Sequence, residues 1–182
     1  MKPTWFITII FLFLIPVIHG CANKEEQAVE ASKERGGDVA SEEITAIKKT
    51  VTDFAKAMTN FPRTRDKGSV LKFGTKDYVE ITDGEMDNAQ GIDKYLSDLL
   101  KQINLGDPIG ISYEVANIDA HVAGTIAWAT YQYSYKLGRG GLALDEKEGM
   151  CTAIFKKEGK VWLYQHEHCS SLSPLARLKK QK

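Results

Sequence analysis

An α+β domain, with its helices early and its sheet late, is the fold class this sequence predicts. Three observations lead there. Residues 41–60 and 91–103 carry apolar side chains at spacings of three and four, which puts them on one face of a helix. Nearly everything after residue 110 reads as strands rich in β-formers, separated by short glycine-containing turns. No strand–helix–strand alternation occurs, so the order of elements does not predict a parallel, doubly wound sheet.

The first twenty residues stand outside that domain. Lys2 supplies a positive end, residues 5–18 form an apolar run broken by Pro16, and Cys21 follows Gly20. The run is too short to span a bilayer comfortably and reads as a secretory signal peptide, 1–20. Its end resembles the lipobox of bacterial lipoproteins, with Ile18 three residues before the cysteine, although His19 replaces the small residue usual there. That resemblance implies lipidation of Cys21, a membrane as partner, and a cell-envelope protein whose domain lies outside the cytoplasm. Removing 1–20 takes away one lysine and no acid, leaving a net charge of −1. A chain so balanced has no field with which to collect nucleic acid.

Residues 21–40 are polar and charged, contain Gly36-Gly37, and read as a flexible tether with a reach of about 25 Å. Ser41 is placed to cap a helix whose stripe is Ile44, Ile47, Val51, Phe54, Ala55 and Met58, and Pro62 is expected to stop it. A short helix fits within 63–73, and 78–82 is a short strand. Asp83-Gly84 is a turn, 85–90 a polar loop, and the second long helix carries Ile92, Tyr95, Leu96, Leu99, Leu100 and Ile103. Strands follow at 111–122 and 126–137, and a final hairpin spans 148–170. The domain is therefore 41–172, with a basic tail at 173–182 that carries Arg177, Lys179, Lys180 and Lys182. No P-loop, dinucleotide fingerprint or Gly-x-Ser-x-Gly occurs, and no cofactor is predicted.

The last strand concentrates the chemistry. Strict alternation sends Trp162, Tyr164, His166, His168 and Ser170 to one face and Gln165, Glu167 and Cys169 to the other. If Glu158-Gly159 is a two-residue loop, Cys151 lies opposite His166 and Cys169 opposite Glu148, too far apart to form a disulfide. A bulge would change that register. His166 and His168 supply only two ligands and lack a third partner, and the direction of His121 is open, so no metal is predicted.

Taken in order, the long first helix, the strand ending in Asp83-Gly84, the helix near Gly91, Ala127-Trp128 after the Gly124 turn, and Trp162-x-x-x-His166-x-His168-x-Ser170 resemble the SnoaL-like branch of the nuclear transport factor 2-like superfamily over 43–171. The resemblance implies a cone, with N-terminal helices packed on the concave side of a curved antiparallel sheet and a pocket at its open end. It often implies homodimers through the convex face. It implies no single reaction, because the fold serves isomerases, dehydratases, epoxide hydrolases and binding modules.

Candidate ligand-binding residues are Tyr78, Tyr131, Tyr133, Trp162, Tyr164, His166 and His168, with His166 and His168 also the candidate acid–base groups. Asp83 and Asp119 are the candidate catalytic aspartates. The leading functional expectation is non-catalytic binding of a small apolar molecule or a protein partner. A dehydratase or isomerase using a histidine is the alternative, and a purely structural role for the aromatic and histidine face is the plainest reading of those residues.

Overall fold

The computed structural model describes residues 22–106 and 108–172; Cys21 and the basic tail lie outside them. The chain divides into two units, the second beginning at Asp38, and the site described below belongs to that second unit. The first helix, α1, is Ala22–Thr64. Helical backbone thus replaces the flexible tether over 22–40, and Ser41 lies inside the helix, its carbonyl accepting from Thr45 Oγ1 at 2.9 Å, rather than capping it. The reason is propensity: this segment has few large apolar residues but four Ala and four Glu, which cost little in a helix. Pro62 is accommodated in the last turn. Arg65, at φ 57°, turns the chain away while its N–H returns to Phe61 O at 2.8 Å.

A short helix α2, Gly68–Leu71, follows. Strand β1 is Gly74–Thr82, longer than the predicted 78–82. Residues 85–88 are not loop but strand β2, Glu85–Asn88, closed onto β1 through Asp83 and Gly84. Both turn residues have positive φ, 54° and 88°, which suits the right-handed twist of a tight hairpin. Helix α3, Ala89–Asn104, is capped by the Asn88 side chain, which accepts from the N–H groups of Gln90 and Gly91.

Strands β3 (Ile109–Ala123), β4 (Ile126–Arg139), β5 (Leu142–Glu158) and β6 (Val161–Ser171) form the meander. The sheet order is β2-β1-β6-β5-β4-β3. Every pairing is antiparallel except β1 with β6, so the sheet is mixed rather than purely antiparallel. No hairpin joins those two strands, so nothing obliges them to run in opposite directions. Register shifts in β1–β6, β3–β4, β4–β5 and β5–β6 bend the sheet into a curved, unclosed cone.

The predicted apolar stripe of α1 is buried as expected, with Ile47 and Val51 fully inaccessible in a core shared with Tyr131, Phe155, Trp162 and Tyr164. A second cluster joins Met58 and Phe61 to Val70 and to Leu96, Leu99 and Ile103 of α3. Among the described residues no helix is long and apolar enough to cross a membrane.

The closing hairpin departs from the predicted register in two steps. Its loop is Gly159-Lys160, with Glu158 opposite Val161, and Gln165 is then an extra residue between the Phe155–Tyr164 and Ile154–His166 pairs. Together these bring Cys151 opposite Cys169, and the two form a disulfide with Cα atoms 4.1 Å apart. The expectation of an unbridged pair was therefore wrong, for the reason that bulges re-aim every residue beyond them. Gln165 is held by Thr75 Oγ1 and by the carbonyl of Asp77, within the irregular part of β1.

Candidate functional site

Beyond the bulge, β6 turns Glu167 and Cys169 inward and His166 and His168 outward. Glu167 is 2% exposed, whereas His166 is half-buried and His168 exposed. From β1, Tyr78, Glu80 and Thr82 approach the same region; from β3 and β4 come Tyr113, Tyr133 and Tyr135; from the helices, Phe54, Met58, Ile92 and Tyr95. All of these except Tyr78 line a pocket of about 380 Å³. That is the lower part of the range that holds small ligands.

The polar centre of the pocket is a short chain of hydrogen-bonding groups. The Tyr78 hydroxyl lies 3.2 Å from Glu167 Oε2 and 3.3 Å from Glu80 Oε2, and Thr82 Oγ1 donates to Glu80 Oε1 at 2.8 Å. Burial pushes the Glu167 carboxyl up to about 8, the negative charge of Glu80 adds to this, and the Tyr78 hydrogen bond opposes it. Burial likewise raises the phenols of Tyr78, Tyr113 and Tyr135 above their ordinary value, so all three are neutral donors. A phenol has one proton and here stands between two carboxyl oxygens. Its hydroxyl is placed to donate to Glu167 Oε2 and to Glu80 Oε2, so one proton serves two carboxyl groups. Glu167 Oε1 is left buried with no partner.

A second network frames the edge of the site. Ser171 donates to Asp83 through both its N–H, at 2.7 Å, and its Oγ, at 2.8 Å, and Lys147 Nζ lies 3.6 Å from the same carboxyl. The Ser171 bonds hold Asp83 below the usual carboxylate range. Tyr133 Oη meets Ser171 Oγ at 3.0 Å, and Tyr95 and Tyr135 share a hydroxyl contact at 2.6 Å.

Of the residues singled out in sequence, Tyr133 lines the pocket and Tyr78 sits in its polar chain. Tyr131 is inaccessible core. Tyr164 packs against Phe155 and Phe54, and Trp162 is buried with Nε1 donating to Glu43 Oε2 at 2.6 Å, beside the Lys157–Glu43 ion pair. His166 and His168 are not brought to the pocket, since the bulge inverts the face on which they were expected. Asp119 is exposed beside His121, which stacks on Trp128. The groups that sequence reasoning missed are Glu167, Glu80 and Tyr113. Glu80 carried a signal, an acid between Val79 and Ile81 in an apolar strand, but Glu167 carried none because strict alternation put it on the face opposite Trp162 and Tyr164. Cys151, Glu167 and Cys169 place donor atoms within 4.8 Å of one another, but the disulfide removes both thiolates as metal ligands.

A family model described as a SnoaL-like domain matches residues 47–174. No curated protein is significantly similar to the chain. Among solved structures, a nuclear transport factor 2-like protein of unknown function from Pseudomonas putida is 18% identical, with 79% of this chain and 94% of that one covered and a TM-score of 0.54. A candidate scytalone dehydratase from Novosphingobium aromaticivorans is 17% identical over 72% of this chain and 85% of that one, with a TM-score of 0.55. A ketosteroid isomerase-like protein from Erwinia carotovora atroseptica is 16% identical over 73% of this chain and 98% of that one, with a TM-score of 0.52. Likeness at this level of identity shows the fold alone.

Proposed function

This chain belongs to the SnoaL-like domain family, and from that premise we propose that its cone binds one small, largely apolar molecule whose polar end meets Glu167. The observation that carries this reading is Glu167, which lines a pocket of aromatic, aliphatic and acidic side chains and whose Oε1 is buried without a partner. A buried polar atom left unsatisfied costs about 1–3 kcal/mol, and a ligand that supplies its partner recovers that cost. Native mass spectrometry of the full chain is expected to show one small molecule per chain. The Ile92→Trp variant, which fills the pocket, is expected to lose it. An adduct that survives in the variant, or no adduct in either protein, refutes the pocket.

A second reading keeps the dehydratase or isomerase alternative but moves its acid–base group from the histidines to Glu167. A carboxyl that titrates at about 8 can accept and return a proton near neutral pH. Loss of turnover in Glu167→Gln with retained binding would distinguish catalysis from binding.

We also place the domain in the bacterial cell envelope, anchored through lipidated Cys21. The Cys151–Cys169 bridge supports an oxidising compartment. Cys21→Ala is expected to release the protein from membrane fractions. A homodimer is supported by the outer sheet face, where exposed Trp128 lies opposite exposed Ile154, and sedimentation of the full chain tests it.

A further inference from the structure

We propose that the polar end of the ligand is a protonated amine, so that the pocket selects small ammonium compounds over neutral or anionic molecules of the same shape. This rests on the reading of the cone as a binding pocket and adds the charge of its ligand. Five carboxyl side chains line the pocket: Glu80, Glu85, Asp87, Asp145 and Glu167. Among the described residues Lys147 is the one base lining it, and its Nζ is 3.6 Å from Asp83, which is not among the five. Among the described residues no lysine, arginine or histidine forms an ion pair with any of the five. Even with Glu167 neutral, the surplus is negative. An anionic ligand would enter against that field, and a cation would enter with it.

The interior adds two features that suit a cation. Tyr113 and Tyr133 present stacked rings, 6.2 Å apart and 17° from parallel, with the Phe54 ring 5.9 Å from that of Tyr113. Ring faces attract ammonium groups, and more strongly when water is excluded. The second feature is the direction of the unmet bond. The single Tyr78 proton serves both Glu167 Oε2 and Glu80 Oε2, and Glu167 Oε1 is buried with no partner, so the carboxyl pair is short of donors. An ammonium N–H supplies one, with donors left over for Glu80; a ketone or ether oxygen does not.

The test is a calorimetric titration of the full chain with matched sets of amine, alcohol and carboxylate on aryl, cyclohexyl and linear skeletons of roughly six to ten carbons, sized to the pocket. The best amine is expected to bind at least about tenfold more tightly than its alcohol, the effect of one charge-assisted contact, and the carboxylate more weakly than either. Raising sodium chloride from about 50 to about 500 mM should weaken the amine and leave the alcohol unchanged. In the folded Glu80→Gln/Asp145→Asn variant the preference for amine over alcohol should fall by about tenfold. If that variant does not fold, the salt dependence of the wild type decides. Alcohols or carboxylates binding as tightly as amines would overturn the cation while leaving the pocket standing. No binding by any member of the sets would overturn both.

Discussion

Replacing Glu167 with glutamine keeps the shape of the side chain and removes only its ability to ionise, so it isolates the cost of burying that carboxyl. Below its ordinary value of 4.5 the group is protonated in both the folded and unfolded chains, and pH has no leverage on it. Between 4.5 and about 8 the unfolded chain releases the proton and the folded chain keeps it. Stability is therefore fully present below 4.5 and falls as pH rises through that window, by about 1.36 kcal/mol per pH unit. The loss is on the order of 3 kcal/mol at pH 7 and on the order of 5 kcal/mol once the folded carboxyl also ionises. Against a typical total of about 5–15 kcal/mol this is a large fraction. Glutamine is neutral in both states, so Glu167→Gln should match the wild type at pH 4 and exceed it by roughly 3 kcal/mol at pH 7, or about 10 °C in Tm. Asp83 acts with the opposite sign. Its depressed carboxyl contributes stability above 3.8 that is lost as pH falls, and this is common to both proteins and cancels in the comparison. Urea denaturation of both proteins from pH 4 to pH 8 measures the difference. Parallel stability curves for the two across that range would refute a buried, protonated Glu167.

Three further outcomes are expected. The Cys151–Cys169 bridge spans a sequence separation of 18, and its reduction should cost about 3 kcal/mol in paired melts; reactive thiols from this pair in the denatured, unreduced protein would rule the bridge out. A Cβ at Gly149 would lie 2.0 Å from Ser170 O and 2.9 Å from Tyr133 Cε1, so Gly149→Ala should cost about 2–3 kcal/mol or prevent folding, whereas Gly110→Ala, with open space around it, should stay within about 0.5 kcal/mol by urea denaturation. His168→Ala should also stay within about 0.5 kcal/mol and leave ligand affinity unchanged by calorimetry, because the side chain is exposed on the face opposite Glu167.

Which parts of the molecule could be read from sequence follows from the range of the interactions that form them. The apolar stripes of α1 and α3 were visible because helical periodicity is local, and the turns at Asp83-Gly84 and Gly124 because positive φ leaves a residue signature. The start of α1 at Ala22 was missed by weighing low hydrophobicity over helix propensity. Strand β2 was missed because all four of its residues are exposed and its pairing with β1 is what makes it a strand.

The site was less legible than the fold. Tyr133 lines the pocket and Tyr78 lies beside it, both large amphipathic side chains on buried strand faces, whereas Glu167 was expected on the face opposite His166 and His168 and those histidines in the pocket. One residue, Gln165, accounts for all three assignments.

By itself, then, the sequence determined an α+β chain with its helices before its strands, an apolar face for each long helix, and a hairpin closing the sheet, because each of these depends on neighbours within a few residues. Only the tertiary structure decided the parallel seating of β1 on β6, the bridge between Cys151 and Cys169, and the presence of Glu167 rather than His166 or His168 beside Tyr78. Side chains alternate along a strand with a period of two, so a single bulge, itself held by contacts from a strand some ninety residues away in sequence, exchanges the two faces for every residue that follows.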